Sequence, residues 1–327
     1  MWPTIHTSLI AFSVATLVVG WLARSRAARI ALDAPNERSL HTVAVPRTGG
    51  VGLLFGVCAG WIVVGPQFPW SYWCGVTLLI AVSLIDDLRG LSAAVRLGAH
   101  LFAAALATTT LMPTGTSPLI MIILIFATGW MCNLYNFMDG SDGLAGGMAF
   151  FGFLFYAIAA AQAGSTQFAL LNLAITASAA GFLLHNFHPS RIFLGDAGAV
   201  PLGFLAATFG TIGWLQKDWN WWFPPLVFSP FIVDASVTLV RRLLSGARVW
   251  EAHRDHYYQR LVQLGLGHRN TALVEYTLMV ACGVGALWAM TPTGNAEYLV
   301  FSAAGILYVG LLAIIEYAWR SRQAAEN

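Results

Sequence analysis

The sequence predicts an all-α fold, a polytopic helical bundle embedded in a lipid bilayer, with 1–327 forming one domain. Three observations lead there. The 327 residues are 57% hydrophobic and only 10% charged, with a mean hydropathy of +0.68, whereas soluble chains carry roughly a quarter charged residues. Apolar runs of roughly the 18 residues needed to cross a bilayer follow one another almost from end to end. Eleven such runs place sixteen of the seventeen Lys and Arg residues on one side of the membrane. A missed or invented span in the middle would scramble that segregation, and the positive-inside rule makes the basic side cytoplasmic. The N-terminus is then periplasmic and the C-terminus cytoplasmic.

The spans run near 4–23, 48–65, 70–85, 93–112, 118–135, 144–163, 167–186, 198–215, 222–240, 271–290 and 297–318. The first lacks a basic leader and a small-residue cleavage site, so it reads as a retained helix. The second repeats Gly52, Gly56 and Gly60 every four residues, a spacing that lets another helix approach closely. The third ends on Asp86 and Asp87, and Arg89 and Arg96 follow before and within the fourth. The fifth opens at Pro118 and runs into a polar, glycine-rich segment before the sixth. The ninth is preceded by Trp214, Trp219, Trp221 and Trp222, which read as interfacial anchors, and closes on Arg241 and Arg242. Connections on the acidic-poor outer side are short (65–69, 113–117, 164–166, 291–296), while the inner ones are long and hold nearly all the acids. Chemistry is therefore expected at the cytoplasmic face. The four cysteines have no metal-ligand spacing and read as packing residues.

The inner connections at 24–47, 86–92, 133–147, 187–198 and 241–270 hold the candidate residues. Arg38, in Pro-Asn-Glu-Arg-Ser-Leu-His at 35–41, and Arg47, just before Gly49 and Gly50, offer guanidinium forks beside a helix start, a cradle for phosphate. A plain basic loop with turn residues reads equally well. Asp86 and Asp87 repel as neighbours and either suit a cation such as Mg²⁺, which takes few carboxylates and keeps contact with substrate phosphates, or form a solvated helix end. In Asn-Leu-Tyr-Asn-Phe-Met-Asp-Gly-Ser-Asp-Gly-Leu at 133–144, Asn133 and Asn136 share a spacing of three with Asp139 and Asp142, among glycines that let a ligand approach backbone. Carboxylates and amides at a bilayer boundary are expensive and mark a functional site. Asp196 sits between glycines just before a span, a good position for a metal ligand, and Asn186 and Phe193 lie in the same connection, Phe193 either stacking on a base or facing lipid. Asp234 either orients a basic group or pairs with an arginine. Arg254, with His253 and His256 at i and i+3, forms either a polyanion or metal site or an interfacial amphipathic segment.

At these residues the chain resembles the polyprenyl-phosphate N-acetylhexosamine-1-phosphate transferases, glycosyltransferase family 4. The resemblance spans essentially the whole chain and rests on four ordered motifs: the aspartate pair Asp86–Asp87, the Asn133-to-Leu144 signature, Phe-Leu-Gly-Asp ending at Asp196, and the His-containing loop from Arg254 to Tyr258. The forms Pro-Asn-Glu-Arg-Ser and His-Arg-Asp-His-Tyr-Tyr-Gln look closest to the enzymes that initiate O-antigen. Two departures stand out: Tyr257 and Tyr258 follow His256 where many members carry a histidine run, and the single lysine, Lys217, lies on the outer side. The resemblance implies transfer of N-acetylhexosamine-1-phosphate from a UDP-sugar (a UDP-N-acetylglucosamine or UDP-N-acetylfucosamine type) to undecaprenyl phosphate, with UMP released, in the bacterial inner membrane. It implies Mg²⁺, or Mn²⁺, on Asp196. Asp86 and Asp87 would be catalytic, activating the lipid phosphate or supporting the metal, and Asn133, Asn136, Asp139, Asp142, Asn186 and Phe193 would contact the nucleotide-sugar. Arg38, Arg47, Arg254 and His256 would offset phosphate charge.

A phosphate's second pKa lies near about 6, so the lipid phosphate is already mostly ionised and needs little base. Direct attack is then the simpler route, with a covalent aspartyl intermediate as the other. No nucleic acid partner is expected; the bilayer is one partner, and a second copy of the chain is left open as another. The competing reading is a cation-coupled secondary transporter using the same carboxylates. Such proteins tend to show repeated halves and charges near mid-membrane, and neither is visible here.

Overall fold

A computed structural model describes residues 2–25, 31–33, 40, 44–248, 253–291 and 295–326. Every expected span falls on helix. The helices are α1 (Trp2–Arg24), α2 (Gly49–Val64), α3 (Trp70–Arg89), α4 (Ala93–Leu111), α5 (Pro118–Phe137), α6 (Leu144–Gln162), α7 (Thr166–Asn186), α8 (Asp196–Leu215), α9 (Phe223–Val227), α10 (Ser229–Leu244), α11 (Tyr257–Leu261), α12 (Gly267–Ala289) and α13 (Ala296–Glu326). Among the described residues nine helices are long and apolar enough to cross a membrane. The other two expected spans differ for identifiable reasons. Helix α2 has only 16 residues, ended by Gly65 at φ +68°. The run at 222–240 is broken at Phe228 between α9 and α10, where Pro230 cannot donate to the turn before it. The Ser229 hydroxyl donates to the Leu226 carbonyl instead, at 2.7 Å.

The expected glycine face is a helix crossing. A Cβ on Gly52 would meet Val19 at 2.6 Å, one on Gly56 the Ala11 carbonyl oxygen at 2.6 Å, and one on Gly60 the Ala174 Cβ at 2.8 Å. Without side chains at these positions α2 beds directly into α1 and α7, gaining dispersion contact that lipid cannot match. At the centre stand α6, α7 and α8, with 72%, 67% and 78% of their apolar windows buried, against 11% for α13. The tryptophan patch differs from expectation. Trp219 and Trp222 turn inward and are buried, and the Trp219 indole donates to the Gly210 carbonyl at 3.0 Å, while Trp221 remains exposed. Burying both indoles, with the Trp219 N–H satisfied, gains more apolar area than an interfacial position would.

Helices α2, α3, α5 and α8 bring one end each to the same place. Two short strands, β1 (Leu32–Asp33) and β2 (Val45–Pro46), pair antiparallel with Leu32 opposite Pro46 and Asp33 opposite Val45. This clip delivers Arg47 to that end of the bundle, where its guanidinium meets Asp33 at 2.5 Å.

Candidate active site

The site grows from the start of α8. Gly195, at φ +73° and ψ 168°, turns the chain into the helix, and a Cβ there would lie 2.1 Å from the Arg47 carbonyl oxygen. Only glycine combines that backbone with so close an approach. Gly50 and Gly198 cross next to it, each Cβ position within 2.5 Å of the other's backbone. Gly49 and Gly50 donate to the Phe193 and Leu194 carbonyls at 2.9 and 2.8 Å, and Phe193 donates to the Pro46 carbonyl at 2.7 Å. The connection before α8 is thus laced to the start of α2.

Asp87 accepts from the Asp196 and Ala197 backbone amides at 3.1 and 3.0 Å. A carboxylate receiving the first free amides of a helix lies where the helix dipole favours it. Asp139 reaches the same turn from the end of α5 and accepts from the Gly195 amide at 3.1 Å. Asp86 accepts from the Leu91 amide at 2.5 Å and from the Arg96 guanidinium at 3.0 Å. The Asp196 carboxylate feels the Asp86 and Asn136 side chains as neighbours, and Arg96 stands 3.7 Å from it. Asp86, Asp87, Asp139, Asp196 and Asn136, drawn from three separate motifs, therefore meet.

The electrostatics are those of an under-neutralised acidic cluster. Burial, then the Asp196 charge, raises Asp139 well above the usual carboxylate range despite its bond from Gly195. Burial opposes the Arg47 charge, but Asp33, Asp196 and Asp87 together hold its pKa above the ordinary arginine value. Asp86 and Asp196 share the Arg96 guanidinium at 3.0 and 3.7 Å, and carboxylates gathered this closely favour a proton or a further cation among them. This oxygen-only donor set fits Mg²⁺. Among the described residues no three His, Cys, Asp or Glu side chains enclose a metal position; a Mg²⁺ ion commonly needs only one or two carboxylates beside water and phosphate.

The remaining expected residues divide. Asp142 is buried and bound to His188 Nδ1 at 2.6 Å, to the Ser190 hydroxyl at 2.8 Å and to the Ser190 amide at 3.2 Å. Asn186 is also buried, accepting from the Gly143 amide at 3.0 Å and donating to the Ile192 carbonyl at 2.9 Å. Both tie the 139–143 turn to the 188–192 turn, and their polar atoms are spent on protein. Asn133 and Phe193 are half-buried. Arg254 is exposed, and Arg38 lies outside the described residues.

His256 is buried, with Nδ1 3.2 Å from Asp234. Asp234 also accepts from the Tyr257 and Tyr258 amides at 2.9 and 2.8 Å. It thus orients the late loop, where pairing with an arginine had been the other reading. The Tyr258 hydroxyl donates to the Phe137 carbonyl at 3.0 Å, against Gly140, which joins that loop to the Asn133–Leu144 signature. Burial, with help from His256 and Arg242, depresses His253 to about 4, so its ring is neutral at neutral pH. Arg96 was missed as a site residue because in sequence it is one more inside positive charge. Its signal is the turn at Gly90, capped by Ser92 accepting from Val95, which returns α4 beside α3.

The bundle brings carboxylates, guanidinium groups and a glycine-framed helix start together at one end, an arrangement suited to phosphorylated ligands at a membrane surface. The model for "Glycosyl transferase family 4" matches residues 69–213, which contain the aspartate pair, the Asn133–Leu144 signature and Asp196. The chain is 29% identical over 275 residues to a probable undecaprenyl-phosphate N-acetylglucosaminyl 1-phosphate transferase of Bacillus subtilis, covering 79% of this chain and 76% of that one. It is 26% identical to a decaprenyl-phosphate N-acetylglucosaminephosphotransferase of Mycobacterium leprae, over 94% and 88% of the two chains. It is 27% identical to an undecaprenyl-phosphate alpha-N-acetylglucosaminyl 1-phosphate transferase of Yersinia pestis, over 98% and 92%. These matches support the polyprenyl-phosphate N-acetylglucosamine-1-phosphate transferase superfamily as the group to which the chain is similar.

Proposed function

We propose that the protein transfers N-acetylhexosamine-1-phosphate from a UDP-sugar to undecaprenyl phosphate at the cytoplasmic face of the bacterial inner membrane, releasing UMP and initiating an O-antigen or related envelope glycan. The observation that carries this is the meeting of Asp86, Asp87, Asp139 and Asp196 at the mouth of α8. The relatives' names support the same reaction class. Orientation follows the segregated arginines.

The reaction breaks one pyrophosphate bond and makes another, so the barrier is chiefly that of bringing two polyanions together. Mg²⁺ on Asp196, backed by Asp86, supplies charge neutralisation and polarisation of the donor phosphorus when bound. Arg96 spans Asp86 and Asp196 and fixes their relative position. Arg47, held beside the cluster by Asp33, presents a guanidinium for phosphate. With both oxygens on the α8 amides, Asp87 serves to hold Asp196 in place. Asp86, whose oxygens accept from the Leu91 amide and from Arg96, is the member of the expected pair that shares this guanidinium with Asp196. Asn133, Asn136 and Phe193, all half-buried, receive the nucleotide-sugar, while Asp142 and Asn186 tie the 139–143 and 188–192 turns together.

The test is a donor panel: full-length protein in lipid nanodiscs with Mg²⁺, undecaprenyl phosphate and radiolabelled UDP-N-acetylglucosamine, UDP-N-acetylgalactosamine or UDP-N-acetylfucosamine. A lipid-linked sugar pyrophosphate with stoichiometric UMP is expected from one donor. Solute flux through proteoliposomes with no lipid product would favour the transporter reading.

A further inference from the structure

Helix α13 is the least buried of the nine membrane-length helices among the described residues, yet its far end reaches the late loop. Its 31 residues span about 46 Å at 1.5 Å per residue, against about 30 Å of bilayer core, so roughly a quarter or more of it projects. Along the buried stripe of Val300, Tyr308 and Ile315, the Tyr308 hydroxyl lies 2.6 Å from Ser229 Oγ, and Ile315 packs on Tyr257 and Leu261 of α11. One residue further, Glu316 bonds Arg260 at 2.6 Å, Arg241 at 3.3 Å and Arg320 at 2.8 Å.

The five residues of α11 are too few to hold a helix alone. Asp234 binds its first amides from one side. On the other side, the Arg260 guanidinium lies 5.6 Å from the Tyr257 ring and 5.0 Å from the Trp319 ring, and it is buried with Nε unpartnered. Glu316 is the carboxylate that compensates this buried charge, and its removal strands the guanidinium. Arg241 links the clamp to the loop itself by donating to the Asp255 carbonyl at 2.7 Å, next to His256.

We propose that Glu316 is a positioning residue: through Arg260 and Arg241 the last helix holds the 253–261 segment in the conformation that seats Tyr258 against the Phe137 carbonyl and Gly140, within the signature that receives the donor. This deepens the proposed function and rests on it for the substrate. Loss of the clamp lowers the fraction of protein with the loop in place, and a ligand that needs that conformation then binds more weakly in proportion. The signature is a raised KM for the UDP-sugar with kcat recovered at saturation. A residue needed only for folding would instead reduce the amount of active enzyme and leave KM alone.

The experiment compares full-length wild type, Glu316→Ala, Glu316→Gln and Glu316→Asp in nanodiscs by steady-state kinetics and by hydrogen exchange without substrate. For the Ala and Gln variants, the Tyr257, Tyr258 and Arg260 amides should exchange at least tenfold faster while α7 is unchanged. KM for the donor should rise at least fivefold with kcat within threefold, and Glu316→Asp should restore most of both. Unchanged exchange at these amides in both variants overturns the proposal, as does faster exchange through the whole bundle with Vmax reduced and KM constant. Wild type without transfer activity but with the local exchange change would refute the functional reading and leave the clamp standing.

Discussion

Replacing Asp87 by Asn separates a positioning role from a proton-transfer role. The carboxylate accepts one amide on each oxygen, from Asp196 and Ala197. Asparagine offers one acceptor and turns its amide N–H₂ toward the second backbone donor. The lost charge-assisted hydrogen bond is about 1.5–3 kcal/mol, and the lost favourable interaction with the helix dipole adds roughly 0.3–1 kcal/mol. About 2–4 kcal/mol is thus withdrawn from the turn that carries Asp196. If a similar energy separates the competent and displaced positions of Asp196, kcat falls on the order of 30- to 1000-fold at about 1.4 kcal/mol per decade. The assay is UMP release at saturating donor from pH 6 to 9, with the thermal midpoint measured in parallel. Residual activity of Asp87→Asn should follow the wild-type pH profile, with the midpoint lowered by several degrees. An unchanged midpoint together with a lost acidic limb in the pH profile would refute the reasoning and restore Asp87 as the base.

Three further outcomes follow from the geometry. Gly195→Ala places a Cβ 2.1 Å from the Arg47 carbonyl on a backbone that costs non-glycine residues about 1–3 kcal/mol, so UMP release should fall at least tenfold, and near-wild-type turnover would refute the packing described. Asp234→Ala leaves the Tyr257 and Tyr258 amides and the His256 ring without their acceptor, and hydrogen exchange at those amides should rise at least tenfold. His253 is depressed to about 4 from an unfolded value near 6.5, so its contribution to stability is complete above about pH 6.5 and is lost as pH falls toward 4. His253→Asn should flatten the fall in thermal midpoint across that window, and superimposable wild-type and variant curves would remove His253 as the source.

The sequence carries the bundle well because lipid punishes unpaired backbone, and the apolar runs and arginine placement record that constraint directly. It also carries the membership of the site, since Asp86, Asp87, Asp139 and Asp196 each end or begin a helix at one face. What it hides is the division of labour within the set. Asp86 and Asp87 are adjacent, yet one faces Arg96 and the other caps α8, a difference set by rotation of α3 against its neighbours. Asn186 reads as a ligand amide but is consumed by Gly143 and Ile192, because two turns that are far apart in the chain must be tied together. The break at Phe228 is written in Pro224, Pro225 and Pro230, but hydropathy alone runs through it. Glu316 looks like a helix-end charge until α13 is seen to outrun the membrane and reach Arg260.

The most direct measurement of the central claim is Mg²⁺-dependent UMP release by wild type and Asp196→Asn, with Mg²⁺ titrated from a chelated baseline and thermal midpoints recorded for both. Wild type should be silent without divalent cation and saturate as Mg²⁺ is added. Asp196→Asn should stay folded and release no UMP at any Mg²⁺ concentration. Full turnover by Asp196→Asn, or wild-type turnover indifferent to chelation, would contradict the assignment of the metal-linked chemistry to the mouth of α8.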